Sequence, residues 1–373
     1  MIELGDIFRD HGAAYLRKYS ANMLPSHIRA IDAIAKCRTG ELGCHIDSCQ
    51  QCGYSHLFFH SCCNRSCPKC HAGNTQKWLE KKESSLLSVS YFHVVFTLPS
   101  ELRLIVRSNQ KELLNCLFKA AKYSLFKLMR DPRNPRFAGG TGTPGMLAVL
   151  HTWSRDMNYH PHVHCLVPAG VISNDGLQWL PIKKKRFLVP INILSSIFRA
   201  RFMKIARKAL PGVKFPQSVW SKNWVVYPKP FEKGRQVLQY LARYVYRIAI
   251  TNNRILADKD GKITFKYRNS RTGKYKKMTL PVFEFMRRFL QHVLPKGFHK
   301  VRNYGFLAPK YKEIVAVIKL GLEASTGNTI AKSQRTDTGK HFRRCPKCKI
   351  GTMVVVVHIF HTKTGSLYVR PPP

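Results

Sequence analysis

Eight of the chain's twelve cysteines fall between Cys37 and Cys70, in the run "CRTGELGCHIDSCQQCGYSHLFFHSCCNRSCPKCH". Thiols packed this densely either oxidise or share metal ions, and the choice dictates the local fold. A secreted disulfide scaffold would spread its cysteines evenly through a shorter chain, so the clustering favours zinc in a reducing compartment. Cys49 and Cys52 form one C-x-x-C pair and Cys67 and Cys70 a second. Gly53 and Pro68 supply the tight turns that aim paired thiolates at one ion. Cys37, Cys44, His45, His60, Cys62, Cys63 and His71 offer enough further ligands for a second tetrahedral site. Of these, Cys37, His45 and Cys62 are the expected zinc ligands, whereas Cys44 and Cys63 read as small buried residues. Sites with four protein ligands leave no open position and are structural. Near the carboxyl end, "CPKCKIGTMVVVVHIFH" adds Cys345 and Cys348, with His358 and His361 able to complete a third site.

A chain of 373 residues argues for two or three folded units. The composition shifts divide it into a zinc module at 1–85, a main domain at 86–320, and a polar linker with a zinc-ribbon-like tail at 321–373. No run reaches the roughly 18 apolar residues of a membrane span, and nothing near the start resembles a signal peptide, so a soluble, cytoplasmic protein is expected. The 63 Lys and Arg against 20 Asp and Glu give a formal net charge of +43. Such an excess repels itself in a compact chain, and a polyanion, nucleic acid before an anionic membrane, is the natural compensation.

The main domain reads as α+β. "YFHVVFTLP" (91–99) is a β-rich run, and "NQKELLNCLFKAAKYSLFKLMRD" (109–131) has helical apolar spacing, with Leu113, Leu117, Leu128 and Cys116 as core candidates. "GMLAVLHTW" (145–153) and "HVHCLVP" (162–168) are strands about the polar turn "SRDMNYHP". Strand side chains alternate between faces, so His162 and His164 share one while Val163 enters the core. A hairpin about the turn sets His151 opposite His162, and three imidazoles then converge. His160, before Pro161, reads as a nearby polar group. In "GRQVLQYLARYVYRIAI" (234–250), Val237, Leu241, Val245 and Ile248 mark a buried helical stripe. Tyr240 and Tyr244, four apart, share a face.

A His-hydrophobic-His strand in a basic chain, followed by a Tyr-x-x-x-Tyr helix and preceded by a thiolate cluster, resembles the HUH endonucleases. The order is similar to that of two-tyrosine rolling-circle insertion-sequence transposases, over about residues 37 to 310. The resemblance implies an antiparallel-sheet core with packed helices, the tyrosine helix lying across the metal side. It implies a divalent ion, Mg2+ or Mn2+, held by His162, His164 and His151 to polarise a phosphate. Tyr240 and Tyr244 would be nucleophiles, leaving a 5′-phosphotyrosine and a free 3′-hydroxyl on single-stranded DNA at element ends, with no small-molecule substrate. Arg243 and Arg247 on that helix are candidate phosphate contacts. So are Lys266 and Arg268 in "GKITFKYRNSRTGKYKKMTL" (261–280), which reads as a hairpin with Ile263, Phe265 and Tyr267 on its apolar side. "KKKR" (183–186) reads as a solvated loop. The alternatives are a plasmid replication initiator or relaxase with the same chemistry, and a non-catalytic zinc-dependent nucleic-acid-binding protein whose tyrosines stack on bases.

Overall fold

A computed structural model describes residues 1–70, 72–132, 141–184, 186–246, 248–269, 272–326, 343–361 and 367–371, apart from the side chains at 72–73, 243–244, 326, 361 and 367. The architecture is α+β. The long strand Gly142–Trp153 and its neighbour Tyr159–Pro168 form the hairpin about which the main sheet is built. Tyr91–Thr97 pairs with the far edge of Tyr159–Pro168, and Val226–Phe231 follows it. On the other side Gly142–Trp153 pairs with Gly170–Ser173, then Trp179–Pro181, and separately with Val301–Gly305. All of these pairings are antiparallel.

The period-two pattern sorts the sheet's two faces. Val163, Cys165 and Val167, with Ala148 and Leu150, point to one side, where the helices Gln110–Met129 and Ile191–Ala209 cover them with Leu113, Leu117, Phe198 and Phe202. Cys116 and Leu128 lie in this core. Leu147, Val149 and Leu166 point to the other side, against Val237, Leu238, Leu241 and Val245 of the helix Gly234–Val245. That helix starts hard against the sheet: a Cβ at Gly234 would lie 2.6 Å from the Tyr91 ring, so the approach requires glycine. His151, in the same alternation as Val149, and His164, in that of Leu166, therefore face the tyrosine helix.

A second core joins sequence-distant segments. The helices Leu4–Tyr19 and Pro25–Ala35 pack through Ile7, Phe8 and Ile31 against Phe265, Phe285 and Phe289. Phe265 belongs to the hairpin Lys262–Arg268 and Tyr275–Pro281, and the two others to the helix Val282–Leu290. Phe8 and Phe289 meet edge to face at 5.6 Å between ring centres. The first thirty-odd residues thus share a core with segments far beyond residue 85.

The chain end joins the beginning. Thr352–His361 pairs antiparallel with Cys44–Cys49, which pairs in turn with Ser55–Phe59. Arg343–Arg344 and Leu367–Arg370 add to Thr352–His361. The helix Lys312–Thr326 runs into the polar stretch expected as a linker, and 327–342 lie outside the described residues. Among the described residues no helix is long and apolar enough to cross a membrane.

Candidate functional site

Two four-cysteine clusters organise the zinc module. Cys37, Cys62, Cys67 and Cys70 form one, with Sγ separations of 3.3 Å (Cys37 to Cys70), 3.5 Å (Cys62 to Cys70) and 3.6 Å (Cys67 to Cys37). Cys49, Cys52, Cys345 and Cys348 form the other, with Cys49 to Cys348 and Cys52 to Cys345 each at 3.7 Å. A tetrahedral Zn–S bond of about 2.3 Å demands sulfurs about 3.8 Å apart, and a disulfide about 2 Å, so both clusters fit zinc. Backbone N–H groups point at the sulfurs in the manner of zinc knuckles: Gln51 N to Cys49 at 3.4 Å, Asn64 N to Cys62 at 3.5 Å, Gly351 N to Cys348 at 3.3 Å. The Gly351 amide leads in pushing the Cys348 thiol down to about 6, toward the thiolate that metal binding needs. Gly351 approaches so closely that a Cβ there would stand 2.5 Å from Cys49 Sγ.

This grouping differs from the sequence expectation in three respects. The C-x-x-C pairs at 49–52 and 67–70 serve different clusters, and the expected partnership of Cys345 and Cys348 with His358 and His361 is replaced by Cys49 and Cys52. The antiparallel register of Cys44–Cys49 with Thr352–His361 sets Cys49 opposite Met353 and so delivers the distant pair. His45 belongs to neither thiolate cluster; it lies with His60 and His358. His71 lies outside the described residues.

On the main sheet, His151 is directly opposite His162, and His164 opposite Val149, so one nitrogen from each of His151, His162 and His164 falls within 4.8 Å of the others. Ring centres stand 4.2 Å apart for His151 and His164 and 4.8 Å for His162 and His164. The second nitrogens are tied down. His162 Nδ1 donates to the carbonyl of His160 at 2.6 Å, and His164 Nδ1 lies 2.8 Å from His93 Nε2. For His162 the bond to a carbonyl sets the tautomer that presents Nε2, the arrangement that metal-binding histidines adopt. Burial, reinforced by the neighbouring imidazoles, holds His151 and His164 well below the ordinary histidine value and His162 at about 4. All three are neutral at pH 7, as metal ligands must be.

His93 is a functional candidate that the sequence reading missed. It is diagonal to His164 across the Tyr91–Thr97 pairing, its ring 5.0 Å from that of His164 and 5.4 Å from that of Tyr240. A lone imidazole in an apolar strand carries no local signal; only pairing reveals it. His160 is held by Arg103 at 3.2 Å. The hairpin turn is anchored from below by Gln291 and His292, whose side chains reach the carbonyl of Met157 at 2.9 and 3.1 Å.

Tyr240 closes the arrangement. Its ring lies 5.8 Å from that of His164, and both line a cleft of about 420 Å³ with His151, His162, Arg155 and Arg254. Arg254 is braced by the carbonyls of Lys266, Ala249 and Arg155, which fixes its charge beside the cleft. Tyr244 and Arg243 follow on the same helix, but their side chains, like the whole of Arg247, lie outside the described residues. Lys266 and Arg268 sit on the hairpin Lys262–Arg268, where Arg268 donates to the carbonyl of Gly273 at 2.7 Å. They are not among the cleft residues.

Zinc clusters, a basic chain and this cleft together belong to a class of DNA-processing proteins, the transposases with a zinc-binding domain. A family model described as "Transposase zinc-binding domain" matches residues 7–98, and one described as "Putative transposase" matches residues 145–313. The chain is 38% identical to "Putative transposase y4qJ" of Sinorhizobium fredii over 97% of its own length and 96% of the relative's. It is 27% identical to "Transposase for insertion sequence element IS801" of Pseudomonas savastanoi pv. phaseolicola over 75% of its length and 70% of the relative's. No solved structure matches. The chain belongs to the IS91 family of insertion-sequence transposases with an amino-terminal zinc-binding domain, and DNA is its partner.

Proposed function

We propose that the chain nicks and rejoins single-stranded DNA through a covalent 5′-phosphotyrosine during rolling-circle transposition. The observation that carries this reading is the meeting of three neutral imidazoles from two paired strands with Tyr240 from a later helix, in one cleft. His151, His162 and His164 would hold a divalent ion, Mg2+ or Mn2+, and imidazole ligands favour Mn2+ of the two. When bound, such an ion draws charge from the non-bridging oxygens of a phosphodiester and orients it for in-line attack.

The protein's own groups account for the remainder. Phenol oxygen is a weak nucleophile at its ordinary pKa of ~10, so reaction depends on holding it in line with the phosphorus. The buried stripe Val237, Leu241 and Val245 fixes the helix on the sheet and thereby the position of Tyr240. Tyr240 forms the new P–O bond as the P–O3′ bond breaks; the phenol gives up its proton and the departing 3′ oxygen gains one. Arg155 and Arg254 supply positive charge where the backbone enters the cleft. Tyr244, one helical turn on, is the second nucleophile, which permits a second exchange before the first end is released. Lys266 and Arg268, with Arg243 and Arg247, would bind the flanking backbone without reading sequence.

The test is a labelled single-stranded oligonucleotide carrying an element end, incubated with Mn2+ or Mg2+ and resolved under denaturing conditions. A protein-DNA adduct is expected, lost on adding EDTA and in the double variant Tyr240→Phe, Tyr244→Phe. Undiminished adduct in that double variant, or none with the wild-type chain on any element-end oligonucleotide, overturns the reading.

A further inference from the structure

Three histidines of the zinc module stand together outside both thiolate clusters. His45, on Cys44–Cys49, is in register with His358 on Thr352–His361, and His60 immediately follows the strand that flanks Cys44–Cys49 on its other side. One ring nitrogen of each lies within 4.8 Å of the others. Ring centres are 5.4 Å apart for His45 and His60, 5.7 Å for His45 and His358, and 5.9 Å for His60 and His358.

The surroundings are those that ligating imidazoles acquire. His60 Nδ1 lies 3.1 Å from the carbonyl of Leu42, to which it donates in the tautomer that frees Nε2. His45 Nε2 faces the carboxylate of Asp47 at 3.5 Å. Asp47 is buried, and the oxygen that faces His45, Oδ1, makes no hydrogen bond. Metal-bound histidines characteristically turn their second nitrogen to a carboxylate or a backbone carbonyl. His358 adds a complementary observation: its Nδ1 is buried with no hydrogen-bond partner, which is costly for a polar atom unless something else engages it. Three imidazoles crowded in a strongly basic chain, with one buried carboxylate beside them, lack only a cation that binds neutral rings.

We propose that His45, His60 and His358 hold a further transition-metal ion, Zn2+ by ligand type, with Asp47 as the carboxylate that orients His45. Three imidazole nitrogens leave the fourth tetrahedral position to water or another small ligand. The placement gives the ion a mechanical role. Cys49 and His45 lie at opposite ends of one short strand, about 13 Å apart at ~3.3 Å per residue. The thiolate site clamps the carboxyl-terminal strand at one end and the histidine site clamps it at the other. This site stands independently of the tyrosine chemistry.

The test uses the full-length chain loaded with Zn2+, freed of excess metal by gel filtration, and assayed for metal per protein by inductively coupled plasma mass spectrometry. The double variant His60→Asn, His358→Asn is expected to hold one equivalent fewer than wild type. Its cobalt-substituted form should keep the thiolate-to-cobalt charge-transfer absorption of the two cysteine clusters, which reports that the module is folded. Equal metal content in variant and wild type overturns the proposal. A second variant, His358→Cys, keeps a ligand at the position: its cobalt form gains one thiolate's charge-transfer intensity when the ion is bound there. Unchanged intensity overturns the proposal as well.

Discussion

Leu241 offers a way to move the tyrosine without touching it. It is fully buried beneath the helix Gly234–Val245, packed with Leu147, Val149 and Leu166 of the histidine-bearing strands, one residue after Tyr240. Leu241→Ala removes three buried carbons, about 2.4 kcal/mol at ~0.8 kcal/mol each. The cavity left behind brings the expected cost to about 2–5 kcal/mol. The helix can relax into that space only by shifting toward the sheet, and a misplacement of ~1 Å in a positioned nucleophile costs about a hundredfold in rate. Leu117→Ala is the matched control. Leu117 is equally buried, but on the opposite face of the sheet, in the helix Gln110–Met129. Chemical denaturation should show similar destabilisation for both variants. Single-turnover adduct formation, measured where both remain folded, should fall about a hundredfold in Leu241→Ala and stay within about threefold of wild type in Leu117→Ala. Equal rates in the two variants would refute the argument that this helix packing sets the reaction geometry.

Four other outcomes are expected. Burial holds His292 at about 3, against 6.5 when unfolded, so the unfolded chain takes up the proton first as pH falls. Its contribution is therefore whole above pH 6.5 and is lost toward pH 3, at up to ~1.4 kcal/mol per pH unit, and denaturation of His292→Phe across that window should show a shallower dependence. His93→Phe removes the partner of His164 Nδ1; isothermal titration with Mn2+ should show about 10–100-fold weaker binding at the cleft with zinc content unchanged. Gly351→Ala, whose Cβ would intrude on Cys49 Sγ, should release one zinc to a colorimetric chelator faster than wild type while the cluster of Cys37, Cys62, Cys67 and Cys70 keeps its ion. Arg155→Gln should weaken single-strand binding and flatten its salt dependence by about one counterion, with little change in melting temperature.

Local spacing made much of the cleft legible. Alternation along a strand is enforced by backbone geometry, so His162 and His164 had to share a face with Val163 behind them, whatever the remainder of the chain did. The same holds for the stripe of Val237, Leu241 and Val245, and for the hairpin that sets His151 against His162. Partnership between distant segments carries no such local signature. Cys345 and Cys348 reach Cys49 and Cys52 because Thr352–His361 pairs with Cys44–Cys49, and a C-x-x-C turn looks alike whichever second pair completes it. His93 enters the site through strand pairing, and His45 joins His60 and His358 through register rather than proximity in the chain. Side-chain direction is a property of consecutive peptide units; the choice of ligand set depends on which register buries the most apolar surface across hundreds of residues, and only the folded chain decides that.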